Sequence, residues 1–234
     1  MQNEYQSLSP TAAKRWIILL AAFVNGFVIM SIELLGGRVM APYFGSSVYV
    51  WGSIITVFML SLSFGYLWGG RLSLNNPGPR TFVLFFFGSA VLCLPIIFFA
   101  DPLMTEVFLV IEDPRYGSLL SAILLYFLPI CLMGMVSPYS VRMLVARQSH
   151  SGGIAGELYF VSTLGSALVP LGPSFYFVVW FEINQIIWVC ILAQLLSGTV
   201  VAIAFREQLG SGKDKDTTAP APASAAVDAR GGHS

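Results

Sequence analysis

The chain has 234 residues, of which 56% are hydrophobic and only 10% charged, and its mean hydropathy is +0.76. An ordinary soluble domain carries about 25% charged residues, so this one lacks the charge to coat a water-exposed surface. Twelve basic and twelve acidic side chains cancel, which excludes the global positive field that nucleic-acid binding requires.

Two histidines and three cysteines offer no metal-ligand spacing, so neither a metal nor a cofactor is expected. Cys93, Cys131 and Cys190 all lie inside apolar runs and read as small buried residues. The bilayer is the first partner the composition implies. The fold class is all-α, a polytopic transmembrane bundle of about six spans.

A helix crossing the hydrocarbon core needs about 20 mostly apolar residues. Six stretches meet that requirement: Trp16 to Leu35, Trp51 to Gly70, Thr81 to Ala100, Ser118 to Val136, Ile154 to Val178 and Ile183 to Phe205. The first resembles a signal peptide in having Lys14 and Arg15 ahead of an apolar core. That core is too long for a signal, contains Glu33, and offers only Val39-Met40-Ala41 before Pro42 as a cleavage site. It is read as a retained span. Pro170 and Pro173 interrupt the fifth stretch.

Three segments follow: an N-terminal piece (1–15), the six-span domain (16–205) and a tail (206–234). The tail is rich in Ala, Pro, Ser and Gly without an apolar run, and disorder is expected there. Residues 101–117 are expected to form a loop, with Met104, Val107, Phe108 and Ile111 at the spacing of a short helix lying on the headgroups.

Lys14, Arg15, Arg71, Arg80, Arg142, Arg147, Arg206, Lys213 and Lys215 all fall on the side that carries both chain ends. The other side holds only Arg38 and Arg115 among basic residues, with Asp101, Glu106, Glu112, Asp113 and Glu182. By the positive-inside rule both ends are cytoplasmic and the protein is a multi-pass component of the cell's inner membrane.

Small residues recur at four-residue spacing in Ser61, Gly65 and Gly69, in Gly152 and Gly156, and in Ser162 and Ser166. Such rows let two backbones approach closely, within one bundle or between copies in a homo-oligomer. A carboxylate inside a span costs several kcal/mol unless paired, protonated or facing water, so Glu33 and Glu157 are candidate functional groups. They belong to opposite ends of the bilayer, too far apart to act on one bond, but they suit successive stations for a cation.

Arg38 and Tyr159 complete this set of ligand or transport candidates. The structural reading of Glu33 is a lock with Arg38. Residues five apart on a helix point about 140° away from each other, so that lock requires the helix to end near Gly36-Gly37. No catalytic motif is present: GxSxG, HExxH, Walker and GxGxxG patterns are all missing.

The stretch from Glu33 to Trp51, ELLGGRVMAPYFGSSVYVW, resembles the signature that follows the first helix of spermidine synthase-like membrane proteins. Gly65–Arg71 (GYLWGGR), Gly134–Pro138 (GMVSP) with Arg142, and Gly156–Ser166 (GELYFVSTLGS) are similar to later landmarks of that family, in the same order. The likeness implies a membrane domain of a polyamine aminopropyltransferase relative. The catalytic domain of such enzymes has no counterpart in these residues, so no catalytic residue is carried over and the chain alone is not expected to be an enzyme.

Three functions follow from the resemblance and the intramembrane carboxylates. One is a membrane component working with a separate soluble aminopropyltransferase-like protein, and another is transport of a polyamine or other organic cation. The third is an accessory or anchoring subunit of a larger membrane complex with no ligand of its own.

Overall fold

The computed structural model describes residues 12–74, 77–145, 151–171 and 180–207. It contains six long helices: α1 (Ala12–Phe44), α2 (Val48–Leu72), α3 (Pro79–Val110), α4 (Pro114–Leu144), α5 (Ser151–Leu171) and α6 (Ile183–Ala204). All six are long and apolar enough to span a membrane, and no strand occurs among the described residues. The protein is an all-α, polytopic membrane bundle. The tail beyond Glu207, the first eleven residues and the stretch from 172 to 178 of the fifth expected span lie outside the described residues.

Local chemistry sets the helix ends. Gly78-Pro79 and Asp113-Pro114 open α3 and α4 with proline in the first turn, where its missing N–H costs nothing. The Asp113 carboxylate also accepts a 2.9 Å hydrogen bond from the Arg115 N–H. At the far end of α1, Gly45 takes φ +78° and its N–H reaches the Ala41 carbonyl at 2.9 Å.

Two segments run further as helix than expected. The first continues through Gly36-Gly37 to Phe44. Both glycines serve packing instead of ending the helix. A Cβ on Gly36 would lie 3.3 Å from Tyr126 Cζ, and one on Gly37 would lie 2.7 Å from the Trp51 ring. The second continues through Asp101-Pro102 to Val110, so the connection to α4 is only residues 111–113. Met104, Val107 and Phe108 do share a helix face, and that face meets the bundle through Met104 while Phe108 stays partly exposed. Met104 is fully buried, and the Phe108 ring sits 6.3 Å from that of Phe44.

Helix α1 is the hub and touches the other five. The closest pair is α2 with α4, and the expected small-residue row explains it. A Cβ on Gly65 would collide with the Cys131 carbonyl, and one on Gly69 would lie 2.6 Å from Met135 Cα. Ser61 is fully buried beside them and bonds back to the Val57 carbonyl.

The second seam joins α1 to α5. Gly26 faces the Ser162 backbone, Gly165 faces the Phe23 carbonyl, and Ser166 Oγ donates to the Gly26 carbonyl at 2.9 Å. Gly152 and Gly156 behave differently: a Cβ on either would meet nothing within 4 Å among the described residues. Their row is therefore not an internal packing seam there. It stands on the peripheral flank of α5, which turns most of its surface outward. The three cysteines are buried and unpaired.

Gly69→Leu should destabilise the folded protein by about 1–3 kcal/mol, because overpacking must push α2 from α4. Gly156→Leu should leave the melting temperature in detergent unchanged. Melting by intrinsic fluorescence tests both; equal effects would contradict this assignment of the two rows.

Candidate functional site

Contacts between helix ends define two faces. On one, Lys14 Nζ lies 5.3 Å above the Phe205 ring, and Arg15 pairs with Glu157. There also Tyr139 Oη donates to the Gly78 carbonyl at 3.0 Å and accepts from its N–H at 2.9 Å, latching the α2–α3 connection to the end of α4. This basic face carries the start of α1 and the end of α6 together.

On the opposite, acidic face, Tyr43 Oη donates to Asp101 at 3.1 Å. Arg115 stacks 4.3 Å over the Tyr49 ring and donates to its hydroxyl. Helix rise converts sequence spacing into depth: Arg38 stands about 35 Å beyond Arg15, Asp101 about 32 Å beyond Arg80, and Glu182 about 36 Å from Arg206. Each interval is comparable to the roughly 30 Å hydrocarbon core, which separates the acidic-face charges from the basic-face ones by about one bilayer thickness.

The expected ligand candidates do not converge. Glu157 is tied to Arg15 by an ion pair that joins α5 to α1, with both side chains partly exposed. Tyr159, two residues on, is half exposed on the flank of α5. Glu33 is buried, about 27 Å along α1 from Arg15, on the stripe of Gly36 and Gly37 that faces α2 and α4. Because α1 is unbroken, Arg38 points elsewhere, and no hydrogen bond or ion pair reaches the Glu33 carboxyl among the described residues. The proposed local lock between them therefore does not form.

Arg38 lines a cleft of about 470 Å³ at the acidic face between α1, α3 and the start of α6. Asp101, Glu182 and Asn184 contribute its other polar groups, while Val39, Pro42, Ile96 and Ile183 are among its apolar walls. That volume falls within the range of small-molecule sites. Pro42, inside α1, lines the cleft one turn beyond Arg38. No carboxylate lies within ion-pair distance of Arg38 among the described residues. The cleft thus holds opposite charges apart rather than cancelling them.

A second polar centre occupies the middle of the bundle, about 15 Å along α1 from Arg15. Gln194 Nε2 donates to Asn25 Oδ1 at 3.1 Å and to Ser89 Oγ at 3.2 Å, and Asn25 Nδ2 donates to the Met133 carbonyl at 3.0 Å. The Ser89 hydroxyl in turn reaches the Phe86 carbonyl. All three side chains are buried, and they cross-link α1, α3, α4 and α6. Gln194 Oε1 accepts no hydrogen bond from the described residues.

Sequence reasoning missed this knot because it weighed charges within spans and passed over neutral amides. It also counted Asp101 and Glu182 only toward topology. The available signal was the amide pair at the centres of two otherwise apolar helices.

Glu157→Gln should cost no more than about 1 kcal/mol, given the exposure of the pair. The double reversal Arg15→Glu with Glu157→Arg should recover that loss; failure to recover it in melting measurements would show that Glu157 serves something other than Arg15. Gln194→Leu should cost up to about 2 kcal/mol, near the upper end for interhelical hydrogen bonds in membranes.

Comparison with protein-family models, with curated proteins and with solved structures finds no match.

Proposed function

We propose that this integral membrane protein binds an organic cation, a polyamine being the type example, at its acidic face and works with a soluble aminopropyltransferase-like protein at its basic face. The observation that carries the reading is the acidic-face cleft, where Asp101 and Glu182 bring two carboxylates to an apolar-walled space. An ammonium group would find charge-assisted hydrogen bonds there, and its methylenes would lie on Val39, Ile96 and Ile97.

The likeness of residues 33–51 to the spermidine synthase-like signature supports a polyamine as the cation. The excess of Lys and Arg at the opposite face supports cytoplasmic placement of both chain ends, in the inner membrane, and gives an acidic protein surface something to dock against. Transport across the bilayer is a further step of the same reading, with Glu33 the buried carboxyl nearest the cleft's depth.

A second reading, an accessory or anchoring subunit, is favoured by one feature. The Gly152–Gly156 flank of α5, which meets no neighbour among the described residues, would accept a helix from a larger complex or a second copy.

Titration of spermidine into the purified protein should show saturable binding, weakened at least about tenfold by Asp101→Asn with Glu182→Gln. Absence of binding to the wild type, or equal binding by the double variant, would overturn the cation reading. Recovery of an aminopropyltransferase with the protein from native membranes would support the partner.

A further inference from the structure

The proposed ammonium subsite leaves one feature of the cleft unused. Arg38 projects into the same space as the two carboxylates and pairs with neither. A polyamine carries only positive charge and would leave that guanidinium facing another cation. A purely anionic ligand would meet two carboxylates. The ligand that satisfies all three groups carries both signs, an anion for Arg38 and an ammonium for Asp101 and Glu182.

Depth and surroundings narrow the source. The spacing of the three charges from the basic-face residues, about one bilayer thickness, suits a site at headgroup depth. Tyr43, Tyr49, Trp51, Tyr116 and Trp180 gather at the same end, as aromatic residues do at a membrane interface. Below the cleft, the rings of Phe98 on α3 and Trp188 on α6 meet edge to face at 6.2 Å. Phe98 is 60% and Trp188 40% exposed, so this pair presents an open aromatic surface to acyl chains. It lies about 5–9 Å toward the membrane interior from Asp101 and Glu182.

We infer that the cleft is a binding site for an aminophospholipid of the phosphatidylethanolamine class. The phosphate lies against Arg38, the primary ammonium between Asp101 and Glu182, and an acyl chain along the Phe98–Trp188 pair. The guanidinium fork suits a phosphate. The two carboxylates accept N–H donors, which an ethanolamine headgroup has and a choline headgroup lacks. The inference rests on the reading that the cleft takes an ammonium, and it names the ammonium's natural carrier at this depth.

The test is native mass spectrometry of the full chain after reconstitution in equimolar phosphatidylethanolamine, phosphatidylcholine and phosphatidylglycerol. The wild type should retain the ethanolamine lipid about tenfold over the other two. Arg38→Gln should abolish that preference, and Arg38→Lys should keep part of it. Asp101→Asn with Glu182→Gln should lose both this lipid and spermidine.

Equal retention of the three lipids by the wild type, or an unchanged preference in Arg38→Gln, would overturn the inference even if spermidine still binds. Spermidine binding that fails while the lipid preference holds would overturn only the polyamine reading. Free phosphoethanolamine should displace the lipid poorly. Displacement as effective as by the lipid itself would reassign the site to a soluble zwitterion and contradict the lipid source.

Discussion

In hydrocarbon a peptide group has no water to turn to, so the chain must satisfy its backbone along each segment, and helices do this alone. Association of those helices then gains little from water exclusion, because lipid tails are as apolar as the side chains. What holds this bundle together is close approach of backbones where side chains are missing. At Gly65 and Gly69 in the α2–α4 seam and at Gly26 and Gly165 in the α1–α5 seam, even a methyl group would collide with the backbone of the facing helix. Every other feature hangs on these contacts, which fix the positions of the polar groups.

The polar residues divide by depth. At the centre, Asn25, Ser89 and Gln194 bind one another and tie four helices, an arrangement that specifies which helix faces which. At the basic face, Arg15 with Glu157 and Tyr139 with Gly78 clasp neighbouring segments. The acidic face is organised differently. There Arg38, Asp101 and Glu182 share a cleft without the guanidinium being neutralised. Groups that lock a fold satisfy one another, whereas groups left to face an open space are those a ligand can use. That contrast directs attention to the cleft rather than to Glu157.

Much of the architecture was legible in the residues. Apolar runs gave six helices at close to their observed centres, since the length of a span is dictated by the bilayer. Their ends were harder to read. Gly36-Gly37 resembled a stop signal, yet α1 continues because the glycines make room for Tyr126 and Trp51. Asp101-Pro102 belonged to an expected loop, yet α3 continues past it to Val110, its buried Met104 packing into the bundle. The small-residue rows were recognisable as contacts, but whether a row faces inward depends on helix rotation. Ser61, Gly65 and Gly69 face α4, whereas Gly152 and Gly156 do not face a neighbour among the described residues. The cleft was illegible for a related reason: Arg38, Asp101 and Glu182 lie on three helices, and only packing brings them together.

The account depends most on six crossings that return the chain to the side where it started. Single cysteines at Ala13, Glu112 and Glu207, placed in a background whose native cysteines are buried, report that arrangement directly. A membrane-impermeant maleimide applied to intact cells should label the Glu112→Cys protein and spare Ala13→Cys and Glu207→Cys until the membrane is opened. Labelling of one terminal site but not the other would mean an odd number of crossings and would contradict the fold's placement in the bilayer.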